Sequence, residues 1–209
     1  MKVLIINGSP NKEGCTYTAL KEIEGVLNAN NIDTEWVYLG KKPVAGCIAC
    51  FYCKEHGQCF QQDAVQDLQK RVSEFDGLIV GSPVYYSGPT GQIVSFLDRL
   101  FFGGFQAMMQ GKPACAVVSC RRVGASATFE QLNQYFTISN MPIVSSQYWN
   151  SVHGYTPEDV RKDEEGLQTM RTLGQNMTYL LRLQELGKQQ SITKPEYEPT
   201  IYTDFMTGK

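Results

Sequence analysis

The sequence predicts an α/β fold, a doubly wound five-stranded parallel sheet with helices on both faces. Three observations predict it. Short apolar runs of strand length recur along the chain. Stretches with apolar residues at helical spacing lie between them. The connections are short, as alternating βα units require.

The first strand is 2-KVLIING-8, an apolar run ending in Gly, as buried parallel strands often do. After the loop 8–16, Ala19, Leu20, Ile23, Val26 and Leu27 recur on one helical face. Trp36, Tyr38 and Leu39 mark a second strand over 33–39, followed by a cysteine-rich loop. Val65, Leu68, Val72 and Phe75 predict the next helix, with Asp63 as its N-cap. The third strand is 77-GLIVGSP-83, and Ile93, Phe96, Leu97, Leu100 and Phe101 form the helix after it. The fourth strand is 113–120; Phe129, Leu132, Tyr135 and Phe136 mark a helix, and 142–149 reads as the fifth strand. A long last helix starts at Thr156-Pro157, a capping residue followed by a proline suited to the first helical position. Residues 1–187 read as one domain and 188–209 as an extended C-terminal arm at an oligomer interface.

The 209 residues suffice for one well-buried domain, and the net charge is −2. No Lys/Arg block points to nucleic acid, and no run of eighteen apolar residues points to a membrane. The chain reads as cytoplasmic, where thiols stay reduced.

In a sheet of this kind, ligands bind beyond the carboxyl ends of the strands. Three of those ends carry unusual loops. In 8-GSPNKEGCTYT-18, Ser9, Asn11, Thr16 and Thr18 offer hydroxyl or amide groups, Pro10 shapes the turn, and the following helix directs its free N–H groups at the loop. It lacks the lysine of a Walker loop and the G-x-G-x-x-G of a dinucleotide fold, so a phosphomonoester fits better than a nucleoside triphosphate or a dinucleotide. A plain polar turn is the other reading. In 81-GSPVYYSGPTG-91, Pro83, Val84, Tyr85, Tyr86, Ser87 and Gly88 suit the framing of a flat ring, or an aromatic turn packed on the sheet edge. In 119-SCRRVGAS-126, Ser119, Arg121 and Arg122 meet an anionic ligand or water. A phosphate cradle beside a ring frame describes a site for flavin mononucleotide, FMN.

These loops, with Phe96-Leu97-Asp98-Arg99, resemble the NADPH-dependent FMN reductase group of the flavodoxin-like superfamily. Stretches 119–133, 145–154 and 163–177 are similar to a subgroup of NAD(P)H-dependent oxidoreductases. The resemblance implies FMN with its phosphate in the first loop, where Tyr17 belongs to the matching motif, and its ring over the second. It also implies NAD(P)H as donor, stacking directly on the flavin, and a homodimer or homotetramer.

Cys47, Cys50, Cys53 and Cys59 have the spacing C-x2-C-x2-C-x5-C. They resemble the motif of the iron–sulfur flavoproteins, which implies a [4Fe–4S] cluster near FMN. The residues by themselves leave a cubane, zinc, a disulfide or an empty lid open. His56 lies within this loop and reads as a surface residue, His153 as a hydrogen-bonded structural one, Cys15 as a loop filler and Cys115 as core. Because the flavin carries the chemistry, no acid or base residue is assigned. The expected function is an FMN-dependent oxidoreductase passing electrons from NAD(P)H, or from an iron–sulfur donor, to a small acceptor such as a quinone or free flavin. The alternative is an electron carrier between proteins, with a ferredoxin-like partner. The apolar stretch Phe101, Phe102, Phe105, Met108 and Met109 is expected to be exposed and to meet a second copy.

Overall fold

The computed structural model describes residues 1–206 and contains a five-stranded, all-parallel sheet in the order β2-β1-β3-β4-β5. The strands are β1 (Lys2–Asn7), β2 (Asp33–Tyr38), β3 (Gly77–Pro83), β4 (Ala114–Cys120) and β5 (Ser151–His153). This is the expected flavodoxin-like arrangement. Alternation along the central strands divides the core in two. Val3, Ile5, Ile79 and Val117 pack under α1 (Cys15–Ala29), α7 (Pro157–Lys162) and α8 (Glu164–Gln189). Leu4, Ile6, Leu78 and Val80 pack under α3 (Ala64–Lys70), α4 (Gly91–Leu100) and α6 (Ala125–Ile138). Phe96 is fully buried in the second layer, and removing its ring would cost about 3–5 kcal/mol.

Four elements differ from expectation, each for a local reason. The fifth strand does not run through 142–149. Ile143 makes an isolated bridge to Ala114, the chain then loops out, and pairing resumes at Ser151–His153. Within the excursion, Ser146 Oγ lies 2.5 Å from Tyr148 O and 2.8 Å from Asn150 Oδ1, which share its one hydroxyl hydrogen, so polar side chains replace the ladder bonds. The last helix starts as predicted, with a reciprocal capping box between Thr156 and Asp159, but it breaks at Asp163. Asp163 accepts from Gly166 N–H at 3.0 Å and so caps a second helix that ends at Gln189, one residue past the expected start of the arm. Asp63 caps α3 as expected, accepting from Val65 N–H at 3.1 Å, but α3 is short and a 3-10 turn at Val72–Glu74 carries Val72 into the core.

The fourth correction concerns 101–109. The segment is not a loose apolar connection. A π-helical turn at Phe101–Phe105, kinked at Gly103 and Gly104, leads into α5 (Gln106–Met109). Phe101, Phe105 and Met109 are buried, while Phe102 and Met108 remain about half exposed. A short helix, α2 (Tyr52–His56), lies inside the cysteine loop between left-handed residues Phe51 and Gly57.

Glu24 anchors α1 to β2. Its carboxylate accepts from Trp36 Nε1 at 2.6 Å, from Thr34 Oγ1 at 3.0 Å and from Lys21 Nζ. Burial alone would push this carboxyl up, but the three donors outweigh it and hold it below the usual range. The resulting stability is complete above the ordinary value of 4.5 and is lost as pH falls through the lowered folded value. Glu24→Gln is therefore expected to lose less stability than wild type between neutral pH and about pH 3, read as the shift in urea midpoint. Equal losses in both proteins would show that Glu24 contributes nothing to the acid sensitivity.

Candidate functional site

The carboxyl ends of β1, β3 and β4 open onto one cleft. Its floor comes from the first loop. Ser9 N–H donates to Asn7 Oδ1 at 3.0 Å and Asn11 N–H to Ser9 Oγ at 3.1 Å, which folds the loop tightly over the strand end. Helix α1 opens at Gly14 without a side-chain cap, so its first-turn N–H groups remain open to an anion. Thr16 Oγ1 lies 2.8 Å from Ser119 Oγ, which links the first loop to the third. Gly8 and Gly81 permit the close approach of these layers. A Cβ on Gly8 would meet Ile93 Cβ at 2.8 Å, and one on Gly81 would meet Leu20 Cδ1 at 2.7 Å and Thr16 Cγ2 at 2.9 Å.

The second loop is a two-residue hairpin. Tyr85 and Gly88 exchange backbone hydrogen bonds of 2.7 and 2.9 Å, and the central Tyr86 and Ser87 both have positive φ, as a type I′ turn demands. Neither is Gly or Asn, so the turn is strained, a feature concentrated at functional sites. Gly124 (φ +91) starts the third-loop helix against this hairpin, where a Cβ would meet Ser87 Cα at 2.9 Å. Ser9, Asn11, Thr16, Pro83, Val84, Tyr85, Ser119 and Arg121 all line the cleft, as expected.

Other expected residues lie elsewhere. Tyr17 packs its ring on Trp36 with centroids 5.4 Å apart, facing the outer side of α1, because successive helical residues point about 100° apart. Thr18 Oγ1 turns back to Gly14 O at 3.2 Å. Pro10 directs its carbonyl to Tyr38 OH at 2.7 Å, away from the cleft. Tyr86 stands fully in solvent at the tip of its turn; Ser87, Gly88 and Arg122 support the hairpin and third loop without lining the cleft. Cys15, Cys120, Gly154 and Tyr155 line it without having been anticipated as binding residues. Tyr155 arrives from the far side of β5, and no local motif signals it. Burial pushes both the Cys15 and Cys120 thiols up, which makes each a quiet wall residue. His153 is outside the cleft: its backbone N–H donates to Asp163 Oδ2 at 2.6 Å.

The four clustered cysteines line a second pocket, together with Ile48, Phe51, Tyr52, Phe60, Arg99 and Phe102. The loop leaves the sheet at the cleft edge, where Leu39 N–H donates to Asn7 O. It then follows α4: Gln92 Nε2 donates to Lys42 O at 2.7 Å, and Arg99 Nη1 reaches Ala45 O at 3.3 Å. From Gly91 to Arg99 the helix advances about 12 Å. The base of the loop thus lies at the cleft edge, as expected, and the pocket lies further along α4. Cys59 is held by Gln69 Oε1, which accepts its N–H at 2.8 Å, and by Gln66 Nε2, which donates to its carbonyl at 2.9 Å. Gln69 Nε2 in turn caps Arg99 O and Leu100 O, the carbonyls at the start of the π turn. Gly103 is required there, since a Cβ would lie 1.9 Å from Gln69 Nε2. His56 stacks on Tyr52 at 3.8 Å, exposed.

Residues 1–156 match the NADPH-dependent FMN reductase family. The chain belongs to that family. It is 35% identical over 190 residues to "Iron-sulfur flavoprotein MJ1083" of Methanocaldococcus jannaschii, covering 88% of this chain and 98% of that protein. In fold it is similar to the flavoenzyme NAD(P)H:(acceptor) oxidoreductase FerB from Paracoccus denitrificans, with a TM-score of 0.66 and 14% identity over 87% of this chain and 97% of that one. A flavodoxin from the domain Archaea superposes with a TM-score of 0.58 and 15% identity, over 87% and 99% of the two chains. Among the described residues, no helix is long and apolar enough to cross a membrane.

The cleft fits the family's FMN. Buried hydroxyls of Ser9, Thr16 and Ser119 sit beside the open start of α1, and Tyr85 stands at the hairpin edge. The cysteine pocket carries a donor set that suits a cluster, four thiols around one pocket. Among the described residues, no three His, Cys, Asp or Glu side chains converge on one metal position.

The geometry separates two neighbouring threonines. Thr16→Val is expected to weaken FMN binding about tenfold, a loss of roughly 1.4 kcal/mol for a hydroxyl beside the ligand. Thr18→Val is expected to leave it within about twofold, since that hydroxyl bonds its own helix. Fluorescence titration of the apoprotein with FMN checks both, and equal effects would mean that the phosphate lies elsewhere.

Proposed function

We propose that the protein is an FMN-dependent oxidoreductase that takes electrons from NAD(P)H, or from an iron–sulfur donor, and delivers them to a small acceptor such as a quinone or free flavin. The observation that carries this reading is the one cleft in which the hydroxyls of Ser9, Thr16 and Ser119 adjoin an open helix start, with Tyr85 and Tyr155 also in its wall. When bound, FMN supplies two-electron chemistry, exchanging electrons with a stacked nicotinamide and then with the acceptor. The chain's part is to bind and orient. Ser9, Asn11, Thr16 and the first-turn N–H groups of α1 hold the phosphate. The hairpin 84–88 sets the ring plane, and Arg121, exposed at the rim, offers a charge to an anionic partner. About half of the Tyr85 side chain is open to solvent, which leaves room for a second flat ring.

A second reading, an iron–sulfur flavoprotein acting as an electron carrier, is favoured by the cysteine pocket. Cys47, Cys50, Cys53 and Cys59 would each bind one iron of a [4Fe–4S] cluster, which supplies one-electron transfer. Ile48, Phe51, Phe60 and Phe102 form an exposed apolar rim around it, and the arm beyond Gln189 carries exposed Tyr197, Ile201, Tyr202 and Phe205. Such surface is normally covered in assembly, which supports a homodimer or homotetramer, or docking of a ferredoxin-like donor.

Anaerobically purified and iron-reconstituted protein is expected to release FMN on acid extraction, to bind about four irons per chain, and to oxidise NAD(P)H in the presence of a quinone. FAD in the extract would overturn the FMN site. Fewer than about one iron per chain would leave a plain FMN reductase, and reduction by ferredoxin without any NAD(P)H oxidation would favour the carrier.

A further inference from the structure

Arg99 closes the floor of the cysteine pocket, and its side chain is only 1% exposed. Its Nε and Nη2 both donate to Cys59 Sγ at 3.3 Å. The other edge of the guanidinium meets Asp63 in a two-pronged pair, Nη1 to Oδ2 at 2.7 Å and Nη2 to Oδ1 at 2.9 Å. Contacts with Ala45 O at 3.3 Å and Gln61 O at 3.5 Å complete its shell. One buried cation is therefore shared between a thiol and a carboxylate. The sharing is unequal in its surroundings. The Asp63 side chain is 39% exposed, so water screens part of its charge, while Arg99 is screened from water on every side. The planar fork makes the arrangement specific, because an ammonium cannot present parallel N–H groups to both partners.

We propose that Arg99 is a positioning residue that locks Cys59 and raises the reduction potential of the centre held by the four cysteines. This rests on the reading of the pocket as a [4Fe–4S] site. One-electron reduction adds a negative charge to the site without forming or breaking a bond. Hydrogen bonds to a ligand sulfur and a nearby cation both favour the more negative state. Asp63 opposes this by drawing the guanidinium charge to itself. The pair thus sets the potential by the balance of Arg99 against Asp63. Cys59 is singled out because Gln66 and Gln69 fix its backbone at the same point, so the sulfur cannot swing away from the guanidinium.

The test uses the full chain, reconstituted anaerobically with iron and sulfide, as wild type, Arg99→Gln and Asp63→Asn. Asparagine caps a helix as well as aspartate does, so α3 retains its start. Bound FMN reports folding, iron per chain reports assembly, and a spectroscopically monitored potential titration gives the midpoint. Arg99→Gln is expected to shift the midpoint down and Asp63→Asn to shift it up. A merely structural pair would move both variants the same way, or lower iron content in both without shifting the midpoint. Either result, or unchanged midpoints, overturns the proposal. If Arg99→Gln loses its iron, the direction of the Asp63→Asn shift decides. Wild type that binds no iron overturns the cluster reading and this proposal together, whereas an iron-loaded wild type without opposite shifts overturns this proposal alone.

Discussion

Everything at the cleft depends on the adjacency of β1 and β3 in an all-parallel sheet. A parallel strand must cross back over a face of the sheet before it can pair again, and right-handed crossovers place the connection after β1 on one face and that after β3 on the other. Helix α1 leaves toward one layer and α4 toward the other. A gap opens between their starts, and backbone groups at both strand ends border it. Gly8 N–H donates to Gly81 O across the gap at 2.8 Å, and Thr90 Oγ1 donates to Gly8 O at 2.9 Å, so the two loops are stitched together at their roots. The ligand loops can then carry strain, as at Tyr86 and Ser87, because the strands beneath them are buried on both faces.

The cysteine pocket is built by a different device. Its wall is the end of α4, where the chain kinks at Gly103 and Gly104 and the carbonyls of Arg99 and Leu100 take a side-chain partner. Gln69 satisfies those carbonyls and at the same time accepts the N–H of Cys59. Desolvating a guanidinium is costly unless its donors are paired. Asp63, Cys59 and two backbone carbonyls supply those partners, and Asp63 does so while capping α3. One residue thus joins a helix start, a helix end and a loop that otherwise has no ladder or core of its own. Its thiols are coupled by proximity too: burial first, and then neighbouring Cys47, Cys50 and Cys59, push the Cys53 thiol up. The loop so held lines one pocket with its four cysteines and with Ile48, Phe51, Phe60 and Phe102.

The cleft and the cysteine pocket are lined by different residues, and α4 runs between the cleft edge and the pocket. The loop begins at the cleft edge but is drawn along the helix by Gln92 and Arg99. Its sequence position after β2 suggested proximity to the cleft because strand ends and ligand edges coincide in this topology. That argument holds for the first residues of a loop and weakens with every residue added. By Cys59 the chain is twenty residues past Leu39, and side-chain contacts with α4 have replaced the strand as its guide.

By itself the sequence determined the layer architecture, the strand order's consequence for ligand placement, and most of the cleft. Apolar periodicity and turn chemistry are local, and in a parallel sheet they leave few topologies to choose from. Ser9, Thr16, Tyr85 and Ser119 were legible because each lies within a few residues of a strand end. The spacing of the four cysteines was legible because it belongs to one short stretch of chain. Only the tertiary structure decided that Tyr17 turns to Trp36, that Tyr155 crosses from β5 to the cleft wall, and that Phe101, Phe105 and Met109 pack inward. It alone brought Arg99 to Cys59, forty residues apart, with Asp63 on its other edge. Those contacts join distant segments. Their geometry follows from which faces of packed helices meet, a property that no short stretch of chain carries.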